Sequence, residues 1–269
     1  MKYKLFFLLL LLVVIVLPEV SYSQNLVLNP NRIVFEGKKR KDQLLVNNPS
    51  NEQQTYRITF ENKQMLEDGK YSEVEDKDPN GKYSDKLVRF SPRTFTLAPK
   101  TSQTVRIQLR KPKGLEDGEY RSHMKVSVVP QAQAPKVQEN DSVNIQIKVH
   151  YGITIPIIVR NGKLSYSTEI ASSEVTKNEE NDIVLKARIN RTGGKSVYGD
   201  LSVTHYDNAG KSTVLKFLPG VSVFTPNTHR TFEIKLDLPE GVNISSGNIE
   251  VKYVDRQTEA VAAIKTIKL

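Results

Sequence analysis

The chain has 269 residues, a formal net charge of +9 and no cysteine. Without thiols there is no disulfide, no thiolate nucleophile and no zinc–thiolate site, so stability has to come from packing. The cations are spread along the chain, with Lys38-Lys39-Arg40-Lys41 as the one dense run. No aromatics are interleaved with them as a single-stranded nucleic-acid site requires, so nucleic acid is not an expected partner.

In chain order, the first feature is an export leader. Lys2 and Lys4 precede an unbroken apolar run from Leu5 to Leu17, and Ser21-Tyr22-Ser23 supplies small residues before a cleavage point. The run is short of the roughly 20 residues that span a bilayer, which favours a cleaved signal over 1–23 against the competing reading of an uncleaved anchor. The remaining chain, from Gln24, is long enough for two domains, each with its own core.

Beyond the leader the recurrent pattern is a short alternation of apolar and polar residues closed by Gly, Pro, Asn or Asp, the mark of strands and turns. Leu26-Val27-Leu28, Ile33-Val34-Phe35 and Gln43 to Val46 open the series, with Glu36-Gly37 as a turn and the basic run after it as a solvated one. Thr55 to Phe60 alternates. Gln64 to Lys86 is polar and acidic and reads as a long loop or irregular hairpin. Val88 to Phe90, Thr94 to Leu97, Thr104 to Leu109 and Tyr120 to Val129 follow, and Gln131 to Asp141 reads as a loop.

The longest strand candidate is Val143 to Ile155. Val143, Ile145, Ile147, Val149, Tyr151, Ile153 and Ile155 share one face, with Asn144, Gln146, Lys148, His150 and Thr154 on the other. Two placements fit. The strand fills its own core along its whole length, or its N-terminal part lies at an open edge able to complete a partner that lacks a strand.

Pro156 and the turn Arg160-Asn161-Gly162 mark a domain boundary. Leu164 to Tyr166, Ile183 to Ile189, Leu201 to Tyr206, Val214 to Phe217, Thr231 to Leu236 and Ile249 to Tyr253 then read as further strands, with Asp207-Asn208-Ala209-Gly210 as a hairpin turn. About seven strands per half predict an all-β protein of two immunoglobulin-like β-sandwiches, 24–157 and 158–269.

Several segments, in order, resemble the periplasmic pilus chaperones of the chaperone–usher pathway. They are Asn31 to Gly37, Leu45-Val46-Asn47-Asn48, Phe90-Ser91-Pro92-Arg93 with Leu97-Ala98-Pro99 and Val105-Arg106-Ile107, and Asp117 to Met124 ending at Val129-Pro130. The Asp-Gly-Glu-Tyr-Arg-Ser-His form is similar to the archaic branch. The resemblance covers the first domain. It implies two sandwiches set at an angle like a boomerang, and a periplasmic protein that stabilises incomplete pilus or fimbrial subunits by donor-strand complementation and hands them to an outer-membrane usher. It implies no enzyme activity, no cofactor and no nucleotide. Val143, Ile145, Ile147 and Val149 would be the donor side chains, and self-association through the donor edge is an expected alternative to subunit binding. The family's two basic residues for the subunit's C-terminal carboxylate carry over to Arg32 and, with altered spacing to Pro156, to Lys148.

Other chemistry is weaker. His123, His150, His205 and His229 lack metal-ligand spacing. Asp76, Asp78, Asn80 and Gly81 open like a calcium loop, but position twelve is Leu87, so the segment reads as a solvated acidic loop. The rival readings are a two-domain immunoglobulin-like structural or adhesive surface protein and a secreted enzyme or carbohydrate-binding module. The second would need a pocket of convergent groups, and no tryptophan or such constellation is present.

Overall fold

The computed structural model describes residues 26–74, 81–130 and 151–269. The first sandwich contains β1 (Val27–Asn29), β2 (Ile33–Phe35), β3 (Lys41–Asn47), β4 (Gln54–Glu61), β5 (Lys63–Met65), β6 (Tyr71–Glu73), β7 (Val88–Ser91), β8 (Thr94–Leu97), β9 (Ser102–Leu109), β10 (Gly118–Val129) and β11 (Gly152–Asn161). The second contains β12 (Tyr166–Lys177), β13 (Ile183–Gly193), β14 (Val197–Tyr206), β15 (Ser212–Val223), β16 (His229–Lys235), β17 (Asn248–Asp255) and β18 (Val261–Lys268).

Each domain is a pair of sheets. In the first, the sheet β1-β3-β9-β7 faces the sheet β2-β11-β10-β4-β8. In the second, β12-β13-β16 faces β15-β14-β17-β18, and β5-β6 stands apart as a hairpin. Alternation decides what is buried. Along β14 every odd residue from Val197 to His205 is buried and every even one is half-exposed. Ile33, Phe35, Leu44, Val46, Tyr56, Val105, Ile107, Met124 and Ile157 form the first core, and Leu185, Ile189, Leu201, Val203, Val223, Val251 and Tyr253 the second.

Two readings of the sequence change here, the end of the long strand and the missing strands of the second half. The long strand does not stop at Ile155: β11 runs from Gly152 through Pro156 to Asn161, so position 157 falls inside it. Pro156 is tolerated because it sits just before the parallel pairing with β2, which covers Ile157 to Val159. The start of the acidic stretch, Lys63 to Glu73, is the hairpin that its pattern allowed. Asp76, Asp78 and Asn80 lie outside the described residues, and Leu87, where a calcium loop would need its glutamate, is buried in the first core. β18 and most of β12 are strands that the pattern did not flag. Asp207 does close the β14–β15 turn, its carboxylate accepting the N–H groups of Ala209 and Lys211 at 2.9 Å each, with Gly210 at φ +83°.

Candidate subunit-binding cleft

Successive residues of β2, β11 and β10 alternate between the first core and an outer face turned to the second sandwich. On that face the register aligns Val34 with Ile158 and Arg121, and Arg160 with Glu119, while His123 pairs with Pro156. Arg32 immediately precedes Ile33, the partner of Ile157, which puts it level with Pro156.

The Glu119–Arg160 level joins the two sandwiches. Arg160 Nε donates to Glu119 Oε2 at 2.9 Å and its Nη1 to Glu36 Oε2 at 2.8 Å. Glu119 Oε2 also accepts the Ser196 N–H at 3.1 Å, and its Oε1 accepts the Ser196 hydroxyl. The side chains of Glu119 and Arg160 are 0% and 4% exposed, so this is a fully desolvated pair bound across the domain boundary. The hairpin β5–β6 makes a second bridge. Asn227 Nδ2 donates to the Met65 carbonyl at 2.7 Å, the Thr231 N–H donates to the Glu67 carbonyl at 2.8 Å, and Met65 packs with Ile158 and Phe224.

Between the bridges lies a cluster of cations without matching acids. The Arg32 guanidinium is 4.4 Å from the Tyr198 ring centroid and 5.3 Å from that of Phe224, and its Nη1 donates to Ser222 Oγ at 3.5 Å. Arg121, only 7% exposed, lies 4.2 Å from the Phe224 ring, and its Nε and Nη1 have no hydrogen-bond partner. Arg230 Nη1 donates to the Ser222 carbonyl at 3.1 Å. Among the described residues, none of the three has a carboxylate within ion-pair distance. Glu119, the acid whose charge reaches Arg32 and Arg121, spends its oxygens on Arg160 and Ser196, and the one whose charge reaches Arg230 is Asp68. Burial drives the pKa of Arg32 down to about 10 and lowers those of Arg121 and Arg230. Burial raises the Tyr71 phenol, opposed by the charges of Arg121, Arg230 and Arg32, so all three arginines act on that hydroxyl. Arg121 also lines a cavity of about 360 Å3 between the sandwiches with Lys63, Lys82 and Thr225. An anion is what such a cleft can hold: a carboxylate placed there would meet preorganised donors away from water.

The second feature is an edge. β10 accompanies β11 along its whole length, but β2 covers only Ile157 to Val159, so among the described residues no strand flanks 152–156 on that side. The apolar face of the strand leaves the core here: Ile155 is 1% exposed, whereas Ile153 and Tyr151 are each 38% exposed.

Of the expected site residues, Arg32 lies in the cleft. Val143, Ile145, Ile147, Lys148, Val149 and His150 lie outside the described residues. His123 and His205 are buried, and His229 pairs with Glu67 at 3.1 Å. Sequence reasoning missed Glu119, Arg121, Arg160 and Arg230. The available signal was the row Glu119, Arg121, His123, Lys125 on one face of β10, which reads equally well as a solvated face.

Residues 25–164 match the family model for the N-terminal domain of PapD, a pili and flagellar-assembly chaperone. No curated protein matches the chain in a sequence comparison. Among solved structures, the CupB2 chaperone of Pseudomonas aeruginosa is 13% identical with a TM-score of 0.45, covering 90% of this chain and 100% of its own. A chain of the CsuC–CsuE chaperone–tip adhesion subunit complex of Acinetobacter baumannii is 11% identical (TM-score 0.45; 90% and 97% covered). A chain of the Salmonella enterica complex of SafA pilin with the SafB chaperone is 16% identical (TM-score 0.43; 91% and 96% covered).

Proposed function

The chain belongs to the pili and flagellar-assembly chaperones, and from that premise we propose that it holds incomplete pilus subunits in the periplasm by lending them a strand. Residues 1–23 are then removed on export. The observation that carries the reading is the open edge of β11, where the exposed Ile153 and Tyr151 continue the apolar face of the first core beyond the reach of β2. Val143, Ile145, Ile147 and Val149 share that parity and would enter the groove of the borrower, whose backbone adds to the edge. The complex then passes to an outer-membrane usher, and the exchange needs no nucleotide and no catalysis. The rival reading, a structural or adhesive surface protein, has no family match behind it.

The register of lending needs an anchor. Arg32 is the first member, a desolvated guanidinium with no acid of its own, suited to the subunit's C-terminal carboxylate. Lys148 was the second member expected from sequence; it stands eight residues before Pro156, the β11 residue level with Arg32. Arg121 and Arg230, gathered with Arg32 around Phe224, Ser222 and Tyr71, are further partners for that carboxylate.

The test is co-expression of the chaperone with its subunit and recovery of soluble subunit from the periplasm. Arg32→Ala is expected to abolish recovery while the chaperone stays folded. Normal recovery with Arg32→Ala overturns the anchor, and normal recovery with Ile153→Asp and Ile147→Asp together overturns the lent strand.

A further inference from the structure

The positive charge of the molecule is concentrated on a surface remote in character from the cleft. The segments 38–43, 86–91 and 104–110 carry eight cations and one carboxylate, a net +7 of the chain's +9. The topology draws them together, because β3, β9 and β7 are neighbours in one sheet. Lys41 is opposite Gln108, which is opposite Arg89, and Gln43 is opposite Arg106, which is opposite Ser91. These residues all lie on the outer face of the sheet, since Leu44, Val105, Ile107, Val88 and Phe90 take the inner one. Lys41 and Arg89 are therefore roughly 10 Å apart, two strand spacings, with Arg106 one residue pair further along. They line a shallow dish of about 660 Å3. Lys38, Lys39, Arg40, Lys86 and Arg110 are exposed around it. Within this group only Lys39 is ion-paired, to Asp42 at 2.6 Å, among the described residues.

We propose that this face docks the chaperone on an anionic phospholipid surface. The chemistry favours lipid over a protein partner. A protein interface needs buried aromatic or aliphatic anchors at its centre. Here the outer positions around the dish are Lys41, Gln43, Arg89, Ser91, Arg106 and Gln108, which offer charge and hydrogen bonds. The apolar outer residue of the three strands, Leu45, is half-buried beyond them, opposite Thr104 on one side and Asn29 on the other. A broad open dish of unpaired cations suits headgroup phosphates, where each Lys or Arg near the surface is worth roughly a fivefold gain in partitioning. The dish residues Lys41, Arg89 and Arg106 belong to neither the cleft nor the β11 edge, although Lys39 at the rim also borders the cleft, so lipid docking and subunit holding are separable by substitutions in the dish.

Co-sedimentation of the mature chaperone with vesicles tests the proposal. One set is pure phosphatidylcholine and the other contains equal parts of phosphatidylglycerol. The wild-type protein is expected to bind only the anionic vesicles, with binding that falls as salt rises through the range where charges are screened. The variant K41E/R89E/R106E is expected to lose more than tenfold in partitioning. K177E/K211E/K268E, which makes the same change in net charge at exposed positions of the second sandwich, is expected to bind like wild type. If the charge-reversed variant does not fold, K41Q/R89Q/R106Q makes the same comparison with a smaller loss. Equal binding to both vesicle types overturns the proposal, and so does equal loss in the two triple variants. Retention of poly-L-glutamate with no retention of anionic vesicles reassigns the face to an acidic polypeptide and also overturns it.

Discussion

Replacing Glu119 by alanine removes one member of a buried pair and leaves the other behind. Arg160 would keep Glu36, whose side chain is 37% exposed, and a 3.4 Å bond to the Ser196 carbonyl, while the Ser196 N–H and hydroxyl would lose their acceptor. A buried charge stripped of every partner costs about 3–5 kcal/mol, and Arg160, left with a partner that is itself partly in water, should come near the low end of that range. Removing the second member, as in Arg160→Met on the Glu119→Ala background, takes away the stranded charge instead of adding a further loss. The double variant is therefore expected to be no less stable than either single one, a coupling of about 3 kcal/mol, where independent sites add within ~0.5 kcal/mol. Urea unfolding of the four proteins, followed by circular dichroism at neutral pH, measures it. Because Glu119 also accepts the N–H and hydroxyl of Ser196 in the second sandwich, Glu119→Ala should split a single transition into two. Simple additivity of the single variants would refute the view that this pair is one desolvated unit joining the domains.

The buried Arg121 has no acid to lose, so Arg121→Met is expected to leave the unfolding midpoint unchanged or raise stability by about 1 kcal/mol, while recovery of soluble subunit falls; a large destabilisation would mean that the guanidinium is already satisfied. Burial, then the charges of Arg121 and Lys63, holds the His123 ring down to about 3, below its ordinary 6.5. Between those values the unfolded chain carries the extra proton, so the contribution is complete above pH 6.5 and declines as the pH falls to about 3, by at most ~1.4 kcal/mol per pH unit. His123→Phe should flatten that slope in urea titrations between pH 7 and 5, and an unchanged slope would exclude the ring as its source. Met65, 3% exposed against Ile158 and Phe224, should cost about 2–5 kcal/mol as Met65→Ala, read as a lower urea midpoint with an unchanged first core.

Much of the architecture was legible because a sandwich strand writes its burial as a two-residue period. Thr104 to Leu109 and Leu201 to Tyr206 display it, and both are strands with their apolar side inward. The pattern failed where an edge strand has little to bury. β12 alternates serine, glutamate and threonine, and β18 exposes Val261 and Ile264, so neither stood out from loop sequence. The strand through Pro156 was cut short for a different reason: proline is a fair breaker of interior strands, and its tolerance here depends on where β2 begins, which is a tertiary fact. Arg32 could be placed by its position beside the first strand. Arg121 and Glu119 could not, because an outward-facing charge on a strand is normally wet. What dries these two is the second sandwich, more than seventy residues further along the chain.

The hairpin β5–β6 has a mechanical consequence. The covalent connection between the sandwiches, residues 162–165, is short; Glu119 and Arg160 tie the sandwiches next to it through Ser196, and the hairpin reaches across at a separate place to Asn227 and Thr231. The joint is thus held at three places, and a bend that opens the hairpin contact breaks the Asn227 and Thr231 bonds. Lengthening the connection with a few glycines would then leave the angle between the arms nearly as it is, since the peptide link is the least of the three restraints. A subunit would then meet two arms held by side-chain contacts and not by the peptide link alone.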